Sequence, residues 1–169
     1  YISAPLLDTN NSDLLQVTAF TGGDLFELPG GVVVGGFGID GCVSSLVGAS
    51  LYNPKKLYYI VTGDLAFFYD MNVLGNRHVG KNVRILIINN GKGTEFRNFN
   101  HKAAHFEEAA DEFIASAGHF GNKCINLVKN YVTDLGFEYI SASSKEEFEK
   151  TYERFLTPKI TDKPIVFEV

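Results

Sequence analysis

The stretch VRILIINNG, residues 83 to 91, constrains the fold more than any other part of the chain. A run this continuously apolar, closed by a polar turn, leaves no face for water. It is expected to be a strand buried on both sides, as in a parallel sheet covered by helices. A second run, KLYYIVTGD (56 to 64), is rich in β-branched and aromatic residues and also ends in a turn, so it reads as a strand. Between glycine hinges, GGVVVGG is expected to be a short buried strand or an extended segment. The segment GCVSSLVGASLYN (41 to 53) places Val43, Leu46, Val47 and Ser50 at helical spacing, with Gly48 and Ala49 small enough to approach a sheet.

The remaining segments follow the same alternation. LAFFYDMNVLGNRH is predicted as a helix with Phe68, Met71 and Leu74 on one face. AAHFEEAADEFIASAG (103 to 118) and NLVKNYVTDLG (126 to 136) read as helices, each closed by a glycine. FEYISAS and KPIVFEV read as strands. Between them Ser144 caps KEEFEKTYERFL, whose Phe148, Tyr152 and Phe155 make an apolar stripe under a solvated charged face. DLLQVTAF (13 to 20) fits a short helix or a strand. The order strand and helix, repeated, predicts an α/β fold: a three-layer sandwich with a mostly parallel central sheet. In such sheets ligands lie beyond the carboxyl ends of the strands.

The 169 residues suit a single domain, and 45% hydrophobic content is enough for a sizeable core. A net charge of −5 without a basic stripe argues against nucleic acid as a partner. No apolar run approaches the roughly 18 residues of a membrane span, and neither a membrane span nor a signal peptide is expected. Cys42 and Cys124 form neither a metal-like pair nor a disulfide framework, so two reduced thiols and a cytoplasmic location are expected. The first residue is Tyr1 rather than methionine, as in a fragment or a cut-down chain.

The residues that carry chemistry lie at strand ends. Gly36-Phe37-Gly38-Ile39-Asp40-Gly41 matches the dinucleotide pattern G-x-G-x-x-G after an apolar strand, and Asp64 ends the next apolar run. Gly63-Asp64 and Asn89-Asn90 close two runs expected to lie side by side, so both pairs reach one rim. A carboxylate and an amide oxygen are hard ligands suited to Mg²⁺ or Ca²⁺, and a backbone carbonyl of the turn NNGKGT would supply a third protein position. The same letters also fit ordinary turn chemistry. Beyond that turn, Glu95, Arg97, Asn98, His101 and His105 form a polar cluster able to touch a substrate or to be a solvated loop. His78 at a helix end and His119 in a turn read as structural. Ser44-Ser45 have no histidine at triad spacing.

Taken together, TGDLAFFYDMNVL and ILIINNGKGTEF resemble the thiamine diphosphate motif, G-D followed after about 25 residues by N-N. GIDGCVSSLVGASL resembles the glycine-rich loop and helix of the same domain. Within that superfamily the wording is nearest to the 2-succinyl-5-enolpyruvyl-6-hydroxy-3-cyclohexene-1-carboxylate synthases of menaquinone synthesis. The resemblance is strong over residues 30 to 100 and extends by order of elements over the rest. It implies a thiamine diphosphate-binding fold and a 2-oxo acid decarboxylase or carboligase, in class a transferase or lyase.

The resemblance also implies residue roles. Asp64 and Asn90 would bind Mg²⁺ through side chains and Lys92 through its carbonyl, with Gly93 beside it. The metal would hold the diphosphate with the N–H groups around Gly63, Leu65 and Ala66. Ile39, between Gly38 and Asp40, would bend the cofactor, and the carbonyl of Phe37 would accept from its aminopyrimidine amino group. Glu95 and Arg97 are the first choices for substrate contacts.

Three positions depart from the family pattern. Val34 stands at the place of an arginine near the substrate carboxylates, Ala66 where serine is common, and Lys92 where glycine is usual. The activating glutamate of such enzymes comes from a pyrimidine-binding domain, usually on a partner subunit, and this chain is too short to hold that domain as well. It is therefore expected to be inactive alone. It would be either the carboxyl-terminal part of a longer enzyme that dimerises, or one chain of a two-chain decarboxylase of the sulfopyruvate kind. An NAD-binding oxidoreductase built on residues 36 to 41 stays open beside these, as does a non-catalytic module that kept the fold and lost the metal.

Overall fold

The computed structural model describes residues 27–28, 31–33, 41–97, 101–113 and 124–169. Within them a six-stranded sheet runs in the order β1-β2-β3-β4-β6-β5. The strands are β1 (Glu27–Leu28), β2 (Gly31–Val33), β3 (Leu57–Gly63), β4 (Val83–Ile88), β5 (Glu138–Ser141) and β6 (Ile165–Glu168). Only the two-residue β1 is antiparallel to its neighbour; β2, β3, β4, β6 and β5 pair in parallel. The helices are α1 (Cys42–Tyr52), α2 (Asp64–Asp70), α3 (Leu127–Asp134) and α4 (Lys145–Phe155). The expected α/β class with a mostly parallel central sheet is what the chain adopts.

Side-chain parity shows why helices must cover both faces. Alternate strand residues point to opposite sides. Tyr58 and Ile60 of β3, Ile85 and Ile87 of β4, and Val166 of β6 are buried in one core with Val43 and Leu46 of α1, Phe67 of α2 and Val128 and Val132 of α3. Leu57, Tyr59, Ile165 and Phe167 point the other way and meet Phe155 of α4. Two cores, one on each side of the sheet, make the three layers.

Local chemistry sets the helix ends. Ser144 accepts from the Glu147 N–H at 3.2 Å and caps α4, as expected. Glu147 in turn accepts from the Ser143 N–H at 2.7 Å. Of the predicted stripe, Phe155 is buried and Tyr152 half-buried, while Phe148 is 38% exposed and stacks on Phe167. In α1, Val43, Leu46, Val47 and Ser50 are all buried, but Gly48 faces solvent rather than the sheet.

Three expectations change. The predicted single helix after Gly63 is a short α2 followed by a 3-10 turn, Met71–Gly75. This tightening lets both Phe67 and Leu74 reach the core, with Phe68 and Met71 partly buried at its edge. The segment predicted as a helix from 103 forms 3-10 structure over Lys102–Phe113, broken at Glu107, whose φ is 44°. In β4 the apolar run carries a buried charge. Arg84 is fully buried, and its guanidinium donates to the carbonyls of Lys81, Val83 and Lys159 and to the Thr161 hydroxyl. Burial pushes its pKa down from the ordinary guanidinium range.

Phe67 has no exposed surface, whereas Tyr69 on the same short helix is 62% exposed. Phe67→Ala is expected to cost about 3–5 kcal/mol of unfolding free energy. Tyr69→Ala should change it by no more than about 0.5 kcal/mol. Denaturant unfolding of the two variants in the full-length protein measures the difference.

Candidate functional site

The parallel register of β3 and β4 brings the two predicted pairs together. Gly63 lies opposite Ile88, so both strands end at the same level of the sheet. Asp64 begins α2 directly after β3, and its carboxylate is buried, with 3% of the residue exposed. One carboxylate oxygen accepts from the Leu65 N–H at 2.7 Å. The other accepts from the Gly91 N–H at 2.8 Å, across the gap between the strands. Gly91 has a φ of 74°, a left-handed conformation that costs a side-chain-bearing residue about 1–2 kcal/mol. Glycine is required there for the turn to present its N–H to Asp64.

Asn89 and Asn90 take separate roles. The Asn89 side chain is buried, on the same side of the sheet as Ile85 and Ile87, and donates to Glu168 Oε1 at 2.6 Å. Its oxygen accepts from the Gly91 N–H at 3.1 Å. Asn90 is exposed, and its oxygen accepts from the Lys92 N–H at 2.9 Å. The Lys92 carbonyl accepts from Thr94 at 2.9 Å. Both oxygens keep a second lone pair. One buried carboxylate, one exposed amide oxygen and one turn carbonyl are the hard donors that Mg²⁺ takes, so the chemistry of the set fits that ion. Of the N–H groups expected around a diphosphate, that of Leu65 is turned to Asp64.

The polar cluster past the turn is mostly structural. Arg97 forms a two-pronged ion pair with Asp111, and Lys92 Nζ lies 3.6 Å from the same carboxylate. This pair anchors the 3-10 segment to the turn. His101 Nδ1 accepts from the Ala103 N–H at 3.1 Å, and its ring meets Phe96 edge-on at 4.8 Å. His105 is exposed. The side chain of Glu95 lies outside the described residues, as do Val34, Phe37, Gly38, Ile39, Asp40, Asn98 and His119. On the helix that follows the glycine-rich loop, Ser44 donates its N–H, at 2.6 Å, and its hydroxyl to Asp70 at the end of α2. Cys42 is buried against the Thr62 hydroxyl at 3.1 Å, and burial pushes its thiol pKa up; Cys124 is exposed, and both thiols are free.

Two residues of the rim escaped the sequence reading. Glu168, 6% exposed at the end of β6, also accepts from the Tyr139 hydroxyl at 2.6 Å through Oε2. The signal was present as a lone acid closing the otherwise apolar run PIVFEV. A cavity of about 580 Å³ lies beside them, lined by Asn89, Tyr139, Ser141, Ser144, Phe148 and Glu168 among others. It sits over the ends of β4, β6 and β5, one strand removed from Asp64.

Burial, with the bond to Glu168 adding to it, pushes the Tyr139 hydroxyl up to about 12. A raised pKa contributes stability that is complete below the unfolded value, about 10. That contribution is lost as pH rises through about 12. Tyr139→Phe should therefore flatten the fall of the thermal midpoint between about pH 10 and 12, measured against wild type.

No protein-family model matches the chain. Curated relatives do. The chain is 32% identical over 149 residues to 2-succinyl-5-enolpyruvyl-6-hydroxy-3-cyclohexene-1-carboxylate synthase of Bacteroides fragilis, covering 86% of this chain and 25% of that one. It is 34% identical over 132 residues to the synthase of that name from Phocaeicola vulgatus, covering 78% and 22%. The figure for Christiangramia forsetii is 36% over 135 residues, covering 78% and 21%. The chain thus spans about a quarter of the length of the curated relatives it matches. Among the described residues no helix is long and apolar enough to cross a membrane.

Proposed function

We propose that this chain, which is related over most of its length to part of the 2-succinyl-5-enolpyruvyl-6-hydroxy-3-cyclohexene-1-carboxylate synthases, is the Mg²⁺- and diphosphate-binding domain of a thiamine diphosphate-dependent enzyme. The reaction class is decarboxylation of a 2-oxo acid with transfer of the remaining acyl unit, in menaquinone biosynthesis as the relatives' name suggests. The single observation that supports this reading best is the clasp between strand ends. Asp64 after β3 holds the Gly91 N–H of the turn after β4, and that turn carries Asn90 and the Lys92 carbonyl.

In this reading Asp64, Asn90 and the Lys92 carbonyl hold the cation, and the cation holds the diphosphate. Bound thiamine diphosphate supplies the carbon that stabilises the negative charge left when CO₂ departs. The chain's own residues bind and orient. Burial of Asp64 keeps its carboxylate aimed by two backbone N–H groups, so binding needs little rearrangement. Ile39 would press the cofactor into its bent shape, and the Phe37 carbonyl would receive the aminopyrimidine amino group. A pyrimidine-binding domain, on the same polypeptide or on a partner subunit, would supply the activating glutamate, and pairing of two such units would complete the site. Arg97 turns its Nε and Nη2 edge to Asp111, which fixes the guanidinium and leaves its Nη1 edge for a substrate.

A dinucleotide reading would assign Asp64 to a ribose hydroxyl. Here that carboxylate is turned toward the neighbouring turn instead, which suits a cation site between two strand ends. Mg²⁺ binding to the full-length protein with saturating thiamine diphosphate, followed by calorimetry, tests the proposal. Asp64→Ala should weaken Mg²⁺ by more than about 100-fold, since a direct ligand exceeds the usual effect of an outer partner. Equal affinity in the variant and the wild type would overturn it.

A further inference from the structure

Resting on that reading of Asp64 and Asn90, we propose that Tyr139, Glu168 and Asn89 are positioning residues that set the polarity of the cation-binding turn. Glu168 closes β6, Asn89 follows β4 and Tyr139 lies within β5, the three strands beside the cavity. All face the core side that also holds Ile85, Ile87 and Val166.

The argument is one of donors and acceptors. An ionised carboxylate has only acceptors to offer. Glu168 uses Oε2 for the Tyr139 hydroxyl and Oε1 for the Asn89 amide, each at 2.6 Å. It therefore compels Asn89 to present its NH₂ edge to β6. The oxygen edge must then face the other way, where it meets the Gly91 N–H at 3.1 Å. That same N–H meets Asp64 Oδ2 at 2.8 Å. One donor held between two oxygens, one on each side, fixes the peptide plane between Asn90 and Gly91. Asn90 and the Lys92 carbonyl are its immediate neighbours in the turn. If Asn89 were reversed, its NH₂ would oppose the Gly91 N–H, two donors would confront each other, and the turn would have to swing off Asp64. The backbone supports the same geometry: the Asn89 N–H donates to the Val169 carbonyl at 2.8 Å, and the Val169 N–H donates to Ile87 at 2.9 Å. The end of β6 is thus bonded to the root of the turn by main chain and side chain together.

The test is the loss of that acceptor set against a polarity swap. Glu168→Met removes the acceptor that orients Asn89, whereas Glu168→Gln alone keeps it by turning its NH₂ to the Tyr139 hydroxyl, which can accept. Asn89→Asp added to Glu168→Gln also keeps the match, because the new carboxylate at position 89 accepts both from the glutamine amide introduced on β6 and from the Gly91 N–H. Calorimetric titration of Mg²⁺ into the full-length protein with saturating thiamine diphosphate is the readout, with thermal unfolding in the absence of Mg²⁺ as the control for folding. Glu168→Met should weaken Mg²⁺ by about tenfold or more, the size usual for a partner behind a ligand. The double variant should stay within about threefold of wild type. Tyr139→Phe, which leaves the carboxylate in place and loses one bond, should weaken Mg²⁺ by about fivefold. This third variant carries the test if Glu168→Met does not fold.

Wild-type Mg²⁺ affinity in a folded Glu168→Met, or in Tyr139→Phe, overturns the relay. So does a double variant as weak as Glu168→Met. These failures are distinct from failure of the site itself, which would show as wild-type affinity in Asp64→Ala.

Discussion

The Gly91 N–H is a single donor shared by two side chains that approach it from different strands. On one side is Asp64, carried by β3 and α2; on the other is Asn89, carried by β4 and tied to β6 through Glu168. Buried carboxylates are costly unless hydrogen-bonded, and Asp64 is almost wholly out of solvent. Its two N–H partners offset that cost, and one of them exists only because residue 91 can take a φ of 74°. The carboxylate, the glycine and the amide therefore stand or fall together. Remove the glycine and the turn loses the conformation that aims its N–H; remove the carboxylate and the turn loses its contact with β3.

The rest of the architecture serves to hold these strand ends level. β3 and β4 pair over their whole length, with Ile60 opposite Ile85 and Thr62 opposite Ile87. Helices on both faces keep the pair from sliding, since a slip of one residue would exchange the two cores. At the opposite end of the sheet Arg84 makes its own network, bonding to Lys81 and Val83 on one side and to Lys159 and Thr161 on the other. That network ties the loop before β6 to the root of β4, as Glu168 and Asn89 tie the two strands at their carboxyl ends. β6 is thus pinned to β4 by polar side chains at both of its ends and by backbone pairing between them.

Much of this was legible in the sequence because the signals were local or periodic. The apolar runs at 57 to 63 and 83 to 88, the helical spacing of Val43, Leu46 and Val47, and the Ser144 cap each depend on neighbours within a few residues, and each appears where expected. Asp64 and Asn90 were legible as strand-end residues for the same reason, and the parallel register then brought their segments together. What escaped depends on contacts that no local pattern encodes. Arg84 sits in a run that reads as apolar, and a loop some 75 residues later supplies two of the acceptors that make its burial tolerable. The division of labour between Asn89 and Asn90 is invisible in a doublet of identical letters. The 3-10 turn after α2 follows from the need to bring both Phe67 and Leu74 into one core, a tertiary demand that overrides helical continuation.

That doublet shows how a short motif divides between the sheet and its turn. Where a strand ends, successive side chains still alternate in direction, so two adjacent asparagines cannot both face a ligand. Here the first continues the buried parity of Ile85 and Ile87 and turns to Glu168, 79 residues onward, while the second is exposed and caps its own turn. The first asparagine suits its place because an amide, unlike a carboxylate or a hydrocarbon, can donate to an acid on one side and accept from an N–H on the other. An aspartate alone would set two carboxylates against each other at Glu168, and a leucine would leave both the acid and the Gly91 N–H short of a partner. The requirement for asparagine at position 89 is therefore set by β6, whereas the requirement at position 90 is set by what the turn faces. Two identical letters answer to two different constraints, one set by β6 and one by the turn itself.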